Sequence, residues 1–314
     1  MAKGRRLIKL LIAALLLALL FGGGIRWVIA GGARSLDMAD RLIGSGDGAR
    51  LLVADQRYGH GTRQYLDIWA PGGVREGDRL PVVVFFYGGG WSSGEREHYG
   101  FAGRALAQQG FIVVIPDYRL APRAQWPDFL QDSAEAVAWT HAHIGALGGD
   151  PDRIALMGHS AGAYNAAMLA LDPQWLRDAG SDPSVVRGVA GLAGPYDFLP
   201  LEKGGSADRA MGKVRPVERT QPIAFARGDA PPMWLATGDA DTRVRPRNSQ
   251  NLAAAIERAG GSAALRLYPG IGHTGIVMAL ARPFRGRAPV LDDATDFLRG
   301  VTGRRIAPAK GIVP

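Results

Sequence analysis

The sequence predicts an α/β protein built on a doubly wound, mostly parallel sheet, and three observations carry this. Short β-branched and aliphatic runs recur without polar alternation, as strands covered on both faces require. Amphipathic stretches lie between them, so strand and helix alternate. Several apolar runs end directly in glycine-bearing turns, where sheets of this kind place their functional groups.

The strands are expected at Tyr65 to Trp69, Val82 to Tyr87, Phe111 to Ile115, Ile154 to Met157, Val186 to Leu192, Met233 to Ala236 and Ala264 to Leu267. The helices are expected at Phe101 to Gln109, Asp128 to Leu147, Ala161 to Leu171, Pro246 to Ala259, Ile276 to Leu280 and Asp292 to Arg299. Ala33 to Tyr58 reads as a polar, glycine-rich lead-in. Asp197 to Ala230, rich in Pro, Gly and charge, reads as a small cap-like excursion from one domain, not a second domain. The organisation expected is an N-terminal segment at 1–32, a catalytic domain at 33–303 and a tail at 304–314, with no internal repeat.

At 314 residues, with 47% hydrophobic and 21% charged, the chain can bury a sizeable core. The net charge of +8 is partly an N-terminal matter, because Lys3, Arg5, Arg6 and Lys9 crowd the first residues. The remaining basic residues form no run interleaved with aromatics, so nucleic acid is not expected as a partner. Cysteine is absent, which excludes disulfides, thiolate nucleophiles and Cys-based metal sites.

Leu10 to Phe21 is unbroken hydrocarbon behind that positive flank, and glycines 22 to 24 with Ile25 extend it. Counted from Leu7 the stretch is about 19 residues, at the short end for spanning a bilayer. An uncleaved signal anchor is favoured over a cleaved signal peptide, since residues 29 to 33 offer no clean A-x-A site. Everything after Trp27 is then expected on the non-cytoplasmic side, tethered to the membrane or exported.

Ile154 to Gly162 runs a strand into Gly158-His-Ser160-Ala-Gly162 and then into an alanine-rich helix. A G-x-S-x-G turn between strand and helix holds its serine in strained backbone, with glycines making room on either side. The helix N-terminus presents the Ala161 amide to an oxyanion formed beside it. Serine needs a base held by an acid, in the chain order Ser, Asp or Glu, His. Of six histidines only His273 follows Ser160, in the glycine-lined loop Tyr268-Pro-Gly-Ile-Gly-His-Thr-Gly. Asp241 is the favoured acid over Asp239, which occupies the turn; Asp197 is a distant third.

Tyr87-Gly-Gly-Gly-Trp91, closing an apolar strand, offers bare backbone where acyl transfer needs donors. Gly89 and Gly90 are therefore assigned with Ala161 as oxyanion donors. Neither a G-x-G-x-x-G nor a Walker-type phosphate loop is present. Trp91 either walls the acyl pocket or packs beneath the loop, and Tyr196 is a candidate pocket residue. His141 and His143 point to different faces of a helix, so they do not suggest a metal.

Together, Tyr87 to Trp91, Asp117-Tyr-Arg-Leu-Ala-Pro122, Gly158 to Gly162 and the Asp241 and His273 segments resemble the α/β-hydrolase superfamily. Within it they resemble carboxylesterases related to hormone-sensitive lipase and to feruloyl-esterase and kynurenine-formamidase-like enzymes. The resemblance runs from about Gln64 to Arg299. It implies a serine hydrolase that cleaves small-molecule carboxylic esters through an acyl-enzyme, without metal or organic cofactor, and it implies that Asp117 to Pro122 supports the oxyanion loop. One departure stands out: Tyr87 occupies the place where the family usually has histidine. An amidase, formamidase or peptidase using the same triad is the alternative, and a non-catalytic membrane-tethered binding protein is the reading from another class.

Overall fold

The computed structural model describes residues 32–44 and 48–303. Eight strands form one sheet in the order β1-β2-β4-β3-β5-β6-β7-β8, where β1 is Ala49–Arg57, β2 Tyr65–Pro71, β3 Leu80–Phe86, β4 Ile112–Pro116, β5 Gly149–His159, β6 Val186–Leu192, β7 Met233–Gly238 and β8 Ala263–Tyr268. From β4 to β8 all neighbours pair in parallel, whereas β1 with β2 and β2 with β4 are antiparallel. This is an α/β-hydrolase sheet. The central strands are buried along almost their whole length, which is why their sequences show no alternation.

Helices cover the sheet. Helix α1 spans 32–43, α2 Gly100–Ala107, α3 Asp128–His143, α4 Ala161–Leu171, α5 Gln174–Asp178, α6 Ser206–Met211, α7 Arg247–Arg258, α8 His273–Met278 and α9 Val290–Thr302. Helices α2 and α9 pack together, as do α3, α4 and α5. Helix α4 is buried along its entire length, so its alanines and Met168 carry no amphipathic signature.

The lead-in departs from expectation. It contains α1 and the edge strand β1, not an irregular stretch. Strand β1 is open on one edge, largely exposed and irregular in register at Leu51 to Gln56, so its short apolar run Leu51 to Ala54 is flanked by Arg50 and Asp55 and is not buried as the central strands are. Helix α1 is held by distant partners. Arg104 Nη2 donates to Asp37 Oδ1 at 2.7 Å and Arg104 Nε to Asp40 Oδ2 at 2.9 Å, and local sequence cannot announce such contacts. Helix α8 begins at His273, three residues before the expected start, so His273 opens a helix instead of sitting in a loop. The excursion 197–230 carries α6 and two short 3₁₀ turns between β6 and β7. The apolar N-terminal segment and the C-terminal tail lie outside the described residues. Among the described residues no helix is long and apolar enough to cross a membrane.

Candidate active site

Strand β5 delivers Ser160 at its carboxyl end, and the turn into α4 is as sharp as the sequence requires. Ser160 sits at φ 54°, ψ −122°, a strained conformation for a residue with a side chain. Both flanking glycines are sterically obligatory. A Cβ on Gly158 would lie 2.4 Å from the Gly162 backbone, and one on Gly162 would lie 2.0 Å from Phe86 O. The nucleophile elbow is thus pressed directly onto the end of β3.

His273 and Asp241 converge on this serine. The Ser160 hydroxyl donates to His273 Nε2 at 2.9 Å, and His273 Nδ1–H donates to Asp241 Oδ2 at 2.8 Å. The Asp241 side chain is fully buried, and its Oδ1 accepts from the N–H groups of Arg243 and Val244, both at 2.9 Å. Those two amides hold the carboxylate in place, and its Oδ2 fixes the imidazole tautomer that leaves Nε2 free to accept a proton. Asp239 is exposed, with Oδ1 accepting from Gly270 N at 2.7 Å. Asp197 Oδ2 accepts from Asn251 Nδ2 at 2.6 Å. Neither reaches His273.

His159, inside the G-x-S-x-G turn, is a participant that sequence reasoning passed over. Its Nε2–H donates to the backbone oxygen of His273 at 3.0 Å, while Nδ1 has no partner. Burial, reinforced by the neighbouring His273, pushes its pKa down to about 3. A neutral ring therefore sits beneath the pair and ties the main chain of His273 to the turn that carries Ser160.

Gly88, Gly89 and Gly90 border the same cavity of about 630 Å³ as Ser160, Ala161 and His273. Gly89 and Gly90 have φ of 140° and 59°, and a Cβ on Gly89 would lie 2.0 Å from Ser93 O. Gly89 O accepts from Ser92 N and Ser93 N, both at 3.1 Å. Because the peptide is planar, this fixes the Gly90 N–H in the opposite direction, away from the Ser92–Ser93 turn. The amides of Gly89, Gly90 and Ala161 donate to no other group among the described residues.

Behind this loop Tyr87 answers the question of the missing histidine. Its ring stacks between Tyr99 and Tyr118, with centroids at 5.4 and 4.7 Å. Its hydroxyl donates to Asp117 Oδ1 at 2.7 Å and accepts from Arg63 Nη2 at 2.9 Å. Burial, then the adjacent Asp117, holds the phenol well above its ordinary pKa, so it remains a donor. Asp117 also accepts from Arg96 N at 2.9 Å, and Ala121 N donates to Trp91 O at 2.7 Å. The segment Asp117 to Pro122 therefore braces the glycine loop from below.

Trp91 does both of the things expected of it. It lines the cavity, and it packs against Tyr164, Phe129 and Phe198 while its Nε1 donates to Asn165 Oδ1 at 3.2 Å. Tyr196 does not line the cavity. It is wholly buried with its hydroxyl unpartnered, in the space left by the absent side chains of Gly191 and Gly194. The cavity wall is supplied instead by Pro195, Phe198, Pro200 and Leu201, the last three from the 197–230 excursion. A larger groove of about 750 Å³, lined by Gln64, Arg119 and Trp139 among others, includes none of Ser160, Asp241, His273 and Gly88 to Gly90.

Residues 66–256 match the BD-FAE family. The chain belongs to that family. Among curated relatives of this BD-FAE protein, esterase LipQ of Mycobacterium tuberculosis is 32% identical over 276 residues, covering 82% of this chain and 65% of the relative. The isoprenylcysteine alpha-carbonyl methylesterase ICME of Arabidopsis thaliana is 30% identical over 288 residues, covering 82% and 66%. The chain thus spans just under two thirds of the length of these relatives. Among solved structures, a truncated carbohydrate esterase from gut microbiota superposes with a TM-score of 0.69 at 22% identity, covering 81% of this chain and 96% of that one. The apo form of Thermogutta terrifontis esterase 2 superposes with a TM-score of 0.67 at 23% identity, covering 85% and 99%. Both share the fold of this BD-FAE domain.

Proposed function

We propose that this protein is a serine hydrolase of carboxylic esters, and the observation that carries the reading is the unbroken hydrogen-bonded line from Asp241 through His273 to Ser160. The relatives' names as esterases support the same reaction. His273 takes the Ser160 proton as the hydroxyl oxygen attacks the ester carbonyl, forming a tetrahedral adduct. The amides of Gly89, Gly90 and Ala161 receive the negative charge on the former carbonyl oxygen, each lowering the barrier by roughly 3 kcal/mol. His273 then protonates the departing alkoxide, leaving an acyl-Ser160 ester. Water, deprotonated by the same imidazole, attacks that ester and releases the acid. Asp241 stabilises the imidazolium in both halves without itself taking the proton.

Trp91, Phe198, Pro200 and Leu201 shape the acyl or alcohol site. The N-terminal segment at 1–32 tethers the domain to a membrane with the catalytic domain on the non-cytoplasmic side. The exposed Met38, Leu42 and Ile43 on α1, shortly after that segment, are consistent with contact with a membrane surface. The test for the chemistry is hydrolysis of 4-nitrophenyl acetate, butyrate and longer esters by the protein and by Ser160→Ala. Turnover and phosphonate labelling in the parent, both abolished in the variant, are expected. A folded parent with neither would refute the esterase reading. Recovery of the full chain in the soluble fraction without detergent would refute the tether.

A further inference from the structure

The stretch that carries the triad acid, Asp241-Thr-Arg-Val-Arg-Pro-Arg247, places three arginines on the rim of the catalytic cavity. Arg243, Arg245 and Arg247 all line it, all are exposed, and none forms an ion pair among the described residues. Among the described residues some exposed arginines elsewhere are matched, Arg79 with Asp150 and Arg266 with Asp293, while others such as Arg75 and Arg123 are not; what sets these three apart is their shared place on one cavity with Ser160 and His273. Among the described residues lining that cavity, Glu202 is the one carboxylate.

The backbone beneath these arginines is clamped at both ends. Asp241 Oδ1 holds the N–H groups of Arg243 and Val244. Asn248 Oδ1 accepts from Tyr196 N and Asp197 N, both at 2.9 Å. The guanidinium stems are therefore carried on a fixed arc, and α7 begins there with its positive end at the rim. Arg243 lies near enough for its charge to be felt at His159, against Ser160. Three unpaired guanidinium groups lining one cavity give it a positive potential that an anion relieves.

We propose that the cleft selects esters carrying a second, anionic group, a carboxylate above all, on the portion of the substrate that reaches this rim. This rests on the ester-hydrolase reading. The anion is not altered in the reaction: water adds across the acyl–oxygen bond at Ser160, giving acid and alcohol, while the guanidinium groups hold the remote carboxylate through charge-assisted hydrogen bonds.

The test compares matched pairs on the full-length chain. Monomethyl adipate against methyl hexanoate places the charge on the acyl side; 4-acetoxybenzoate against its methyl ester places it on the leaving side. In one of the pairs kcat/KM for the anionic member is expected to exceed that of its neutral partner by about five- to tenfold at low ionic strength, falling toward parity in 0.5 M salt. Arg243→Gln with Arg247→Gln is expected to lower that ratio about fivefold, and Glu202→Gln to raise it. The Glu202 variant gives a gain that misfolding cannot mimic. Ratios at or below one in both pairs, with Ser160-dependent turnover of the neutral esters intact, overturn the proposal while leaving the esterase reading standing. Absence of Ser160-dependent turnover of every ester overturns the esterase reading and the proposal with it. Rates that instead rise only on phosphatidylglycerol vesicles, with no preference for soluble anions, assign the arginines to a lipid surface and also overturn the proposal.

Discussion

Tyr87→Phe isolates one oxygen atom. The ring stays, with its stacking on Tyr99 and Tyr118, and only the hydroxyl between Arg63 and Asp117 is lost. Asp117 is almost fully buried and keeps its contacts with Arg96, so the charge is not abandoned. It does forfeit a short hydrogen bond from a neutral donor to an ion, a class worth about 1.5–3 kcal/mol. Arg63 keeps Gly94 O and Tyr118 O as acceptors, so its share is the smaller one. A loss of about 2 kcal/mol follows, equivalent to roughly 4–8 °C in Tm for a domain of this size. Because the hydroxyl braces the strand end from which Gly88 to Gly90 depart, kcat for an ester is expected to fall about tenfold with a smaller change in KM. Differential scanning calorimetry and steady-state kinetics on the same preparations read both effects. A Tm within about 1 °C of the parent and unchanged kcat would show that the arginines alone carry Asp117, and the reasoning about Tyr87 would be wrong.

Two further perturbations follow from the same geometry. His159 is neutral in the fold with a pKa of about 3 against an ordinary 6.5, so the unfolded chain binds the extra proton between those values. Stability is then undiminished above about pH 6.5 and declines as pH falls toward 3, by at most roughly 4–5 kcal/mol. His159→Leu, followed by urea unfolding across that range, is expected to be less stable at pH 7 but with a visibly shallower acid slope; an identical slope would exclude His159 as its source. Gly88→Ala places a Cβ 2.8 Å from His159 Nδ1 and 3.1 Å from Ser160 Cβ, and the buried ring has little room to retreat. An overpacking cost of about 1–3 kcal/mol and a loss of phosphonate labelling are expected, and a variant that labels at the parent's rate would show that the turn yields more easily than its burial implies.

The parts of the fold visible in the sequence were those with a local cause. Central strands such as Val82 to Phe86 and Ile112 to Ile115 are buried on both faces, so their apolar runs stand out against everything around them. Ser160 and its glycines were legible because the strained turn admits so few residues. Strand β1 was hidden because its edge position demands no apolar pattern, and α1 because its anchors, Arg104 and the backbone of Arg282, are far away in sequence. Tyr196 failed as a pocket residue for a related reason. Its position after β6 is where site residues gather, but the glycines at 191 and 194 open a space inward that its ring fills. Nothing local distinguishes a tyrosine facing the cavity from one turned away from it.

The same contrast explains why the triad and its rim read so differently. Asp241 had to be near His273 for the chemistry to work, so chain order together with a place just after a strand narrowed the acid to Asp241 and Asp239, with Asp197 a distant third. The arginines that follow it had no such constraint, and in sequence they merge into a basic chain with 37 Lys and Arg. Only the folded arrangement separates them from that background, because it brings these three to the rim of the cavity that Ser160 and His273 also border. A single seven-residue segment thus carries a carboxylate turned inward to orient the base and cations turned outward toward whatever approaches. A charge change at 243 or 247 should accordingly act on which ester enters, whereas a change at 241 should act on every ester alike. Comparing the substrate profile of Asp241→Asn with that of Arg243→Gln tests this separation directly: proportional losses across all esters are expected for the first and selective losses for the second. Selective losses in Asp241→Asn would mean that the two faces of the segment are not independent.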